Sequence, residues 1–133
     1  MPDENVPDQH AYEEGLDIRR HMWGEDGADK RIEAASGFNR PFEDFVTEYC
    51  FGKVWTRPQL DQKTRSMLTI ALLAVLSRPN QLRSHVQGAI KNGVTPDEIR
   101  EVLIHVMIYG GVPAAADSFM HAREVLKDLG LDK

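Results

Sequence analysis

Three features of the 133-residue chain predict an all-α fold. Apolar residues recur at helical spacing through most of its length, no stretch alternates apolar and polar residues long enough to argue a strand, and helix punctuation is frequent. The clearest punctuation is Thr95-Pro96-Asp97-Glu98. In this capping box the threonine side chain accepts from the backbone three residues on, the glutamate reaches back, and proline takes a first-turn position where no amide hydrogen is needed. The length is that of one ordinary domain with a real core, so residues 1–133 read as a single domain, a bundle of about six to seven helices.

Residues 1–9 are polar and punctuated by proline, which predicts a loose arm. A helix follows from about Ala11 to Met22, with Leu16, Ile18 and Met22 among its apolar positions, closed by Trp23-Gly24. Glu25 to Asp29 reads as a turn and Lys30 to Ala35 as a short, mostly polar helix. Gly37-Phe38-Asn39-Arg40-Pro41 resets the chain, with Pro41 suited to a first helical turn. Phe42, Phe45, Val46 and Tyr49 recur at helical spacing up to Gly52, so this segment is expected to pack its aromatic face inward, with Cys50 as a buried inert thiol. As the single cysteine, Cys50 cannot form an internal disulfide.

After a structured loop at Val54 to Pro58, Asp61 can cap a long helix from about Gln62 to Ser77. From Met67 to Leu76 that helix is apolar on nearly every face, which requires protein on several sides and predicts a homo-oligomer. Pro79-Asn80 starts the next helix and Asn92-Gly93 ends it, glycine suiting the left-handed position after a helix end. The capping box opens a helix carrying Ile99, Val102, Leu103, Val106 and Met107 to about Gly110-Gly111. Pro113 opens the last, Ala114 to Leu129, closed by Gly130. No internal repeat, low-complexity run or linker interrupts the series.

A formal net charge of −5 with scattered basic residues supplies no field for nucleic acid or an anionic membrane surface. The apolar run is too short to span a bilayer, and the N-terminal residues lack the basic and apolar parts of a signal peptide, so a reducing cytoplasm is expected. His10, His21, His105 and His121 are dispersed without metal-ligand spacing, and no glycine-rich phosphate loop follows a strand. Neither metal nor nucleotide cofactor is expected.

The chemistry concentrates around His85, which falls inside the apolar stripe of Leu82, Val86 and Ala89. Gln81 lies one turn earlier on the same side, and Arg78 a further turn back if the helical direction is extrapolated. An imidazole, an amide and a guanidinium in line, rimmed by hydrocarbon, can make a small acid/base pocket. A lone histidine on an apolar face is also commonly a core residue donating to a backbone carbonyl, and both readings stand. Lys63, Arg65 and Arg83 occupy first helical turns, where the helix dipole disfavours cations by about 0.3 kcal/mol or more each. Surface placement with acidic neighbours accounts for each singly; together, beside the histidine, they point to an anionic small molecule. Arginine holds carboxylates through paired hydrogen bonds. Arg83 projects from nearly the opposite side of the helix to His85, so Arg65 and Arg78 are the preferred carboxylate ligands and Arg83 better serves a neighbouring helix or subunit. Ser84 projects about 100° away from His85 and is a poor nucleophile for it. Trp55 and Tyr109 could wall a pocket, although core packing is the commoner role for both.

Trp55-Thr-Arg-Pro58, Lys63-Thr-Arg-Ser66, Leu82-Arg-Ser-His85, Asn92-Gly-Val-Thr95, Glu98-Ile-Arg-Glu-Val-Leu103 and Ile108-Tyr-Gly-Gly-Val-Pro-Ala-Ala115, with Tyr12, Gly15 and Ile18-Arg-Arg20 upstream, together resemble the carboxymuconolactone decarboxylase family over nearly the whole chain. The resemblance implies an alkylhydroperoxidase D-like helical fold and a ring-shaped homo-oligomer, commonly a hexamer, with a trimer the smaller option. It also implies cofactor-independent decarboxylation of 4-carboxymuconolactone to β-ketoadipate enol-lactone in the protocatechuate branch of aromatic catabolism. In that chemistry His85 would be the acid, Gln81 an oxyanion donor, and Arg65 or Arg78 the clamp on the acetate arm. The peroxidase branch of the wider superfamily carries Cys-x-x-Cys-x-x-x-His; here Arg78 and Gln81 stand where its thiols would be, which argues against disulfide-based peroxide reduction. A family paralogue acting on another lactone or keto acid, and a non-catalytic oligomeric small-molecule-binding protein, are the competing readings.

Overall fold

A computed structural model describes residues 8–132, and among them every regular element is helical. The expected all-α class therefore holds. The chain forms two compact units, residues 1–61 and 62–133.

In the first unit, α1 (Gln9–Gly27) is followed by α2 (Asp29–Ala34) and by α3 (Arg40–Phe45), which runs on without a break into a π-helical segment, Val46–Val54. Asp8 caps α1, its side chain accepting from the Ala11 amide at 3.1 Å. Of the expected N-terminal arm, Asp8 and Gln9 are thus helix cap and first helical residue, and residues 1–7 lie outside the described part of the chain. Gly24 does not end α1 but kinks it, with φ 71°, and the helix continues to Gly27 through part of the expected turn.

Backbone contact joins α1 to the π-helical segment. A Cβ added at Gly15 would strike the Thr47 carbonyl oxygen, and one at Gly52 would strike that of Ala11. Around this crossing Ile18, Met22, Phe51 and Trp55 form an apolar core in which the Phe51 ring centroid lies 5.5 Å from both Trp23 and Trp55. Beside it the Arg19 guanidinium meets Glu43 at 2.9 Å and donates to Thr47 Oγ1 at 3.0 Å, all three residues being buried.

The aromatic face of this region is a correction. Phe42, Phe45 and Tyr49 are 63%, 60% and 47% exposed, while Glu43, Thr47, Glu48 and Phe51 are buried. The expected stripe assumed an α-helical period throughout. In the π-helical segment residues five apart align, which places Thr47 and Gly52 together against α1 and moves Tyr49 off the inward face; Phe42 and Phe45 precede it in α3, where the buried Glu43 takes the inward position. Cys50 is likewise exposed rather than buried, although partial desolvation still raises its thiol pKa.

The second unit comprises α4 (Gln62–Val75), α5 (Pro79–Lys91), α6 (Pro96–Gly110) and α7 (Val112–Asp128). Its core is built from Ile70, Ala74, Leu82, Val86, Ala89, Leu103 and Val106, with residues from α7 closing it. The predicted α5 stripe is correct: Leu82, Val86 and Ala89 are at most 1% exposed. Asn92 donates to Ser66 Oγ at 3.0 Å, fixing the antiparallel register of α4 and α5, and Gly93 takes φ 90° after the helix end. Both halves of the capping box at Thr95 and Glu98 form. The long apolar helix stops at Val75, two residues earlier than expected, and Ser77 adopts a left-handed φ of 55° in the turn to α5. Leu68, Leu72 and Val75 on α4, and Leu76 just after it, are 50% to 62% exposed, the faces for which covering protein was expected.

Candidate active site

His85 reaches its position because α5 starts at Pro79 with its apolar stripe turned into the bundle core. The ring is half-buried, and loss of hydration alone pushes its pKa from 6.5 down to about 4. The imidazole is therefore neutral at pH 7. It neither faces open water nor lies sealed like Val86.

Around it the predicted polar residues separate by helical geometry. Gln81 is exposed one turn before His85, and Arg78 is exposed at the N-cap of α5, about two turns or roughly 10 Å along the axis. Arg65, half-buried on α4, stands next to Ser66, whose bond to Asn92 sets it level with the far end of α5. Arg65 and Arg78 thus mark opposite ends of the α4–α5 pair, with His85 between them. A single carboxylate cannot meet both within one chain.

The other cations are engaged elsewhere. Arg83 donates to Glu124 on α7 at 2.6 Å and lies 3.3 Å from His121 Nδ1, serving a neighbouring helix as its direction on α5 suggested. Lys63 pairs with Glu98 at 3.0 Å, and the capping hydrogen bond from Thr95 with this lysine holds the Glu98 carboxyl below its usual pKa. Acidic neighbours therefore account for these two first-turn cations. Trp55 is 6% exposed within the aromatic core of the first unit. Tyr109 is 81% exposed on α6, its ring 4.8 Å from that of His105, and so has no core role within this chain.

A cavity of about 50 Å³ opens where α4 ends and α5 and α7 begin, lined by Ser77, Arg78, Asp117, Ser118 and His121 over an apolar floor that includes Leu82. Ser118 and His121 were not singled out in the sequence as site residues, because nothing in their spacing announces that α7 folds back beside Arg78. No group of three or more His, Cys, Asp or Glu side chains among the described residues is arranged to hold a metal ion. No helix among them is long and apolar enough to cross a membrane.

The sequence model of the carboxymuconolactone decarboxylase family matches residues 40–125. The chain is 40% identical over 124 residues to a 4-carboxymuconolactone decarboxylase of Acinetobacter baylyi, an alignment covering 93% of this chain and 92% of that protein. It is 35% identical over 121 residues to a nitrosuccinic acid decarboxylase of Metarhizium robertsii, covering 91% and 85% respectively.

Proposed function

The chain belongs to the carboxymuconolactone decarboxylase family, and from that premise we propose that it is a carboxy-lyase acting on 4-carboxymuconolactone in the protocatechuate branch of aromatic catabolism. The observation that carries the reading is a desolvated, neutral imidazole, His85, set in hydrocarbon on a chain similar over 93% of its length to such a decarboxylase.

The chemistry needs little from the protein because the substrate holds its own electron sink. The bond between the ring carbon and its carboxylate breaks, carbon dioxide leaves, and the electron pair moves through the ring double bond onto the lactone carbonyl oxygen. A proton then adds to the carbon beside that carbonyl, the carbonyl re-forms, and the enol-lactone results; one proton is consumed for each carbon dioxide released. In this scheme apolar surroundings weaken hydration of the departing carboxylate, Gln81 donates toward the developing oxyanion, and His85 delivers the proton. Arg78 or Arg65 holds the acetate arm, and Tyr109 is available to a neighbouring copy. A ring with a pKa of about 4 is not protonated in the empty site at pH 7. The negative charge of the bound substrate raises that pKa, so the acid forms in the complex, and kcat should fall with a pKa well above 4 as pH rises.

The chain acts as a homo-oligomer in a cytoplasmic setting. Support comes from the exposed Leu68 and Leu72 on α4, Leu76 just after it, and Ile104 and Ile108 on α6, apolar side chains that a neighbouring copy would cover. A second substrate reading has its own support: the relative named for nitrosuccinic acid acts on a diacid whose nitro group can serve as electron sink. Incubating the purified protein with 4-carboxymuconolactone generated in situ, and in parallel with nitrosuccinate, separates the readings. Loss of the unsaturated lactone's absorbance is expected; turnover of nitrosuccinate alone would transfer the assignment, and turnover of neither would leave a binding protein.

A further inference from the structure

We propose that the cavity between the end of α4 and the starts of α5 and α7 is a carboxylate subsite in which Arg78, Ser118 and His121 hold one carboxylate of the substrate. This rests on the decarboxylase reading and adds Ser118 and His121 to it.

Size fixes the class of group. About 50 Å³ is several times what one water requires on the same measure and far below the roughly 300 Å³ at which pockets accept whole ligands. A carboxylate fits, and the ring that bears it remains outside.

Three residues that can donate line the cavity. Ser118, one of them, is 4% exposed. Its hydroxyl can donate to a carboxylate oxygen placed in the cavity. His121 has its proton placement dictated by Arg83: a guanidinium only donates, so the Nδ1 atom 3.3 Å from it must accept, and the ring hydrogen sits on Nε2. Glu124, 2.6 Å from the same guanidinium nitrogen, keeps Arg83 in place. His121, which lines the cavity, therefore carries its ring donor on Nε2. Arg78 makes no ion pair with any described residue, even though Asp117 lines the same cavity, and its charge is available to an incoming anion. Asp117, exposed at the rim, opposes that anion and limits its affinity. Ser77, beside Arg78, is held at φ 55°, a conformation that a residue with a side chain adopts at a cost and that recurs at binding sites.

Succinate is the probe, and the His121 ring resonances in the isotopically labelled full chain are the readout. The expected result is a saturable shift in the wild-type protein and in His85→Gln. Ser118→Ala and Arg78→Gln should each raise the apparent Kd about tenfold, and Asp117→Asn should lower it. In turnover assays Ser118→Ala should raise KM by a similar factor with kcat within about twofold. The proposal is overturned if succinate leaves His121 unperturbed, or if Ser118→Ala and Arg78→Gln bind it as the wild type does. Should succinate saturate as described while no lactone is consumed, the decarboxylase reading fails and the subsite stands.

Discussion

His85 shows how one side chain's surroundings set both stability and chemistry. Its folded pKa of about 4 lies below the ordinary 6.5, so between those values the unfolded chain binds a proton that the native chain does not. Stability is then fully present above pH 6.5 and is lost as pH falls toward 4, by up to roughly 3 kcal/mol. Urea unfolding at pH 7 and pH 4.5 should display this loss in the wild type and a smaller one in His85→Leu. The Arg19–Glu43 pair, about 5% exposed on both sides, is a second residue-scale case. Glu43→Leu alone leaves a buried guanidinium without its main counter-charge and should cost about 3–5 kcal/mol, whereas Arg19→Met with Glu43→Leu should recover much of it. The histidine was legible in the sequence because its neighbours at helical spacing are Leu82, Val86 and Ala89. Ser118 and His121 were not, because their relation to Arg78 exists only once α7 has packed against α5.

The helices themselves divide along the same line. Caps and stops that act locally were readable: Thr95 and Glu98 close their capping box, and Gly93 adopts the left-handed φ its place after α5 requires. Thr95→Ala should cost about 1 kcal/mol in chemical denaturation. The π-helical segment was not readable, because an extra residue per turn leaves no mark in composition and shifts every later side chain around the axis. The same segment carries the most severe backbone constraint in the first unit. Gly15→Ala forces a methyl group into the Thr47 carbonyl, and a loss of about 3 kcal/mol or more, visible as a lowered Tm, is expected.

For the whole molecule, the uncovered apolar residues of α4 and α6 depart from what one chain should show in water. The nearly all-round hydrophobicity of Met67 to Leu76 announced this, since such a helix has more apolar faces than a single bundle can bury. Sedimentation at micromolar concentration should find an oligomer, and Leu72→Glu with Ile108→Glu should dissociate it; a monomeric wild type would refute the assembly.

At the centre stands the claim that His85 supplies the proton that completes a cofactor-free decarboxylation. Steady-state turnover of 4-carboxymuconolactone by His85→Gln across pH 5 to 9, beside the wild type, addresses it most directly. A loss of about 10²- to 10⁴-fold in kcat, with the wild-type pH dependence abolished, is the result expected. Near-normal turnover with the same pH profile would contradict it.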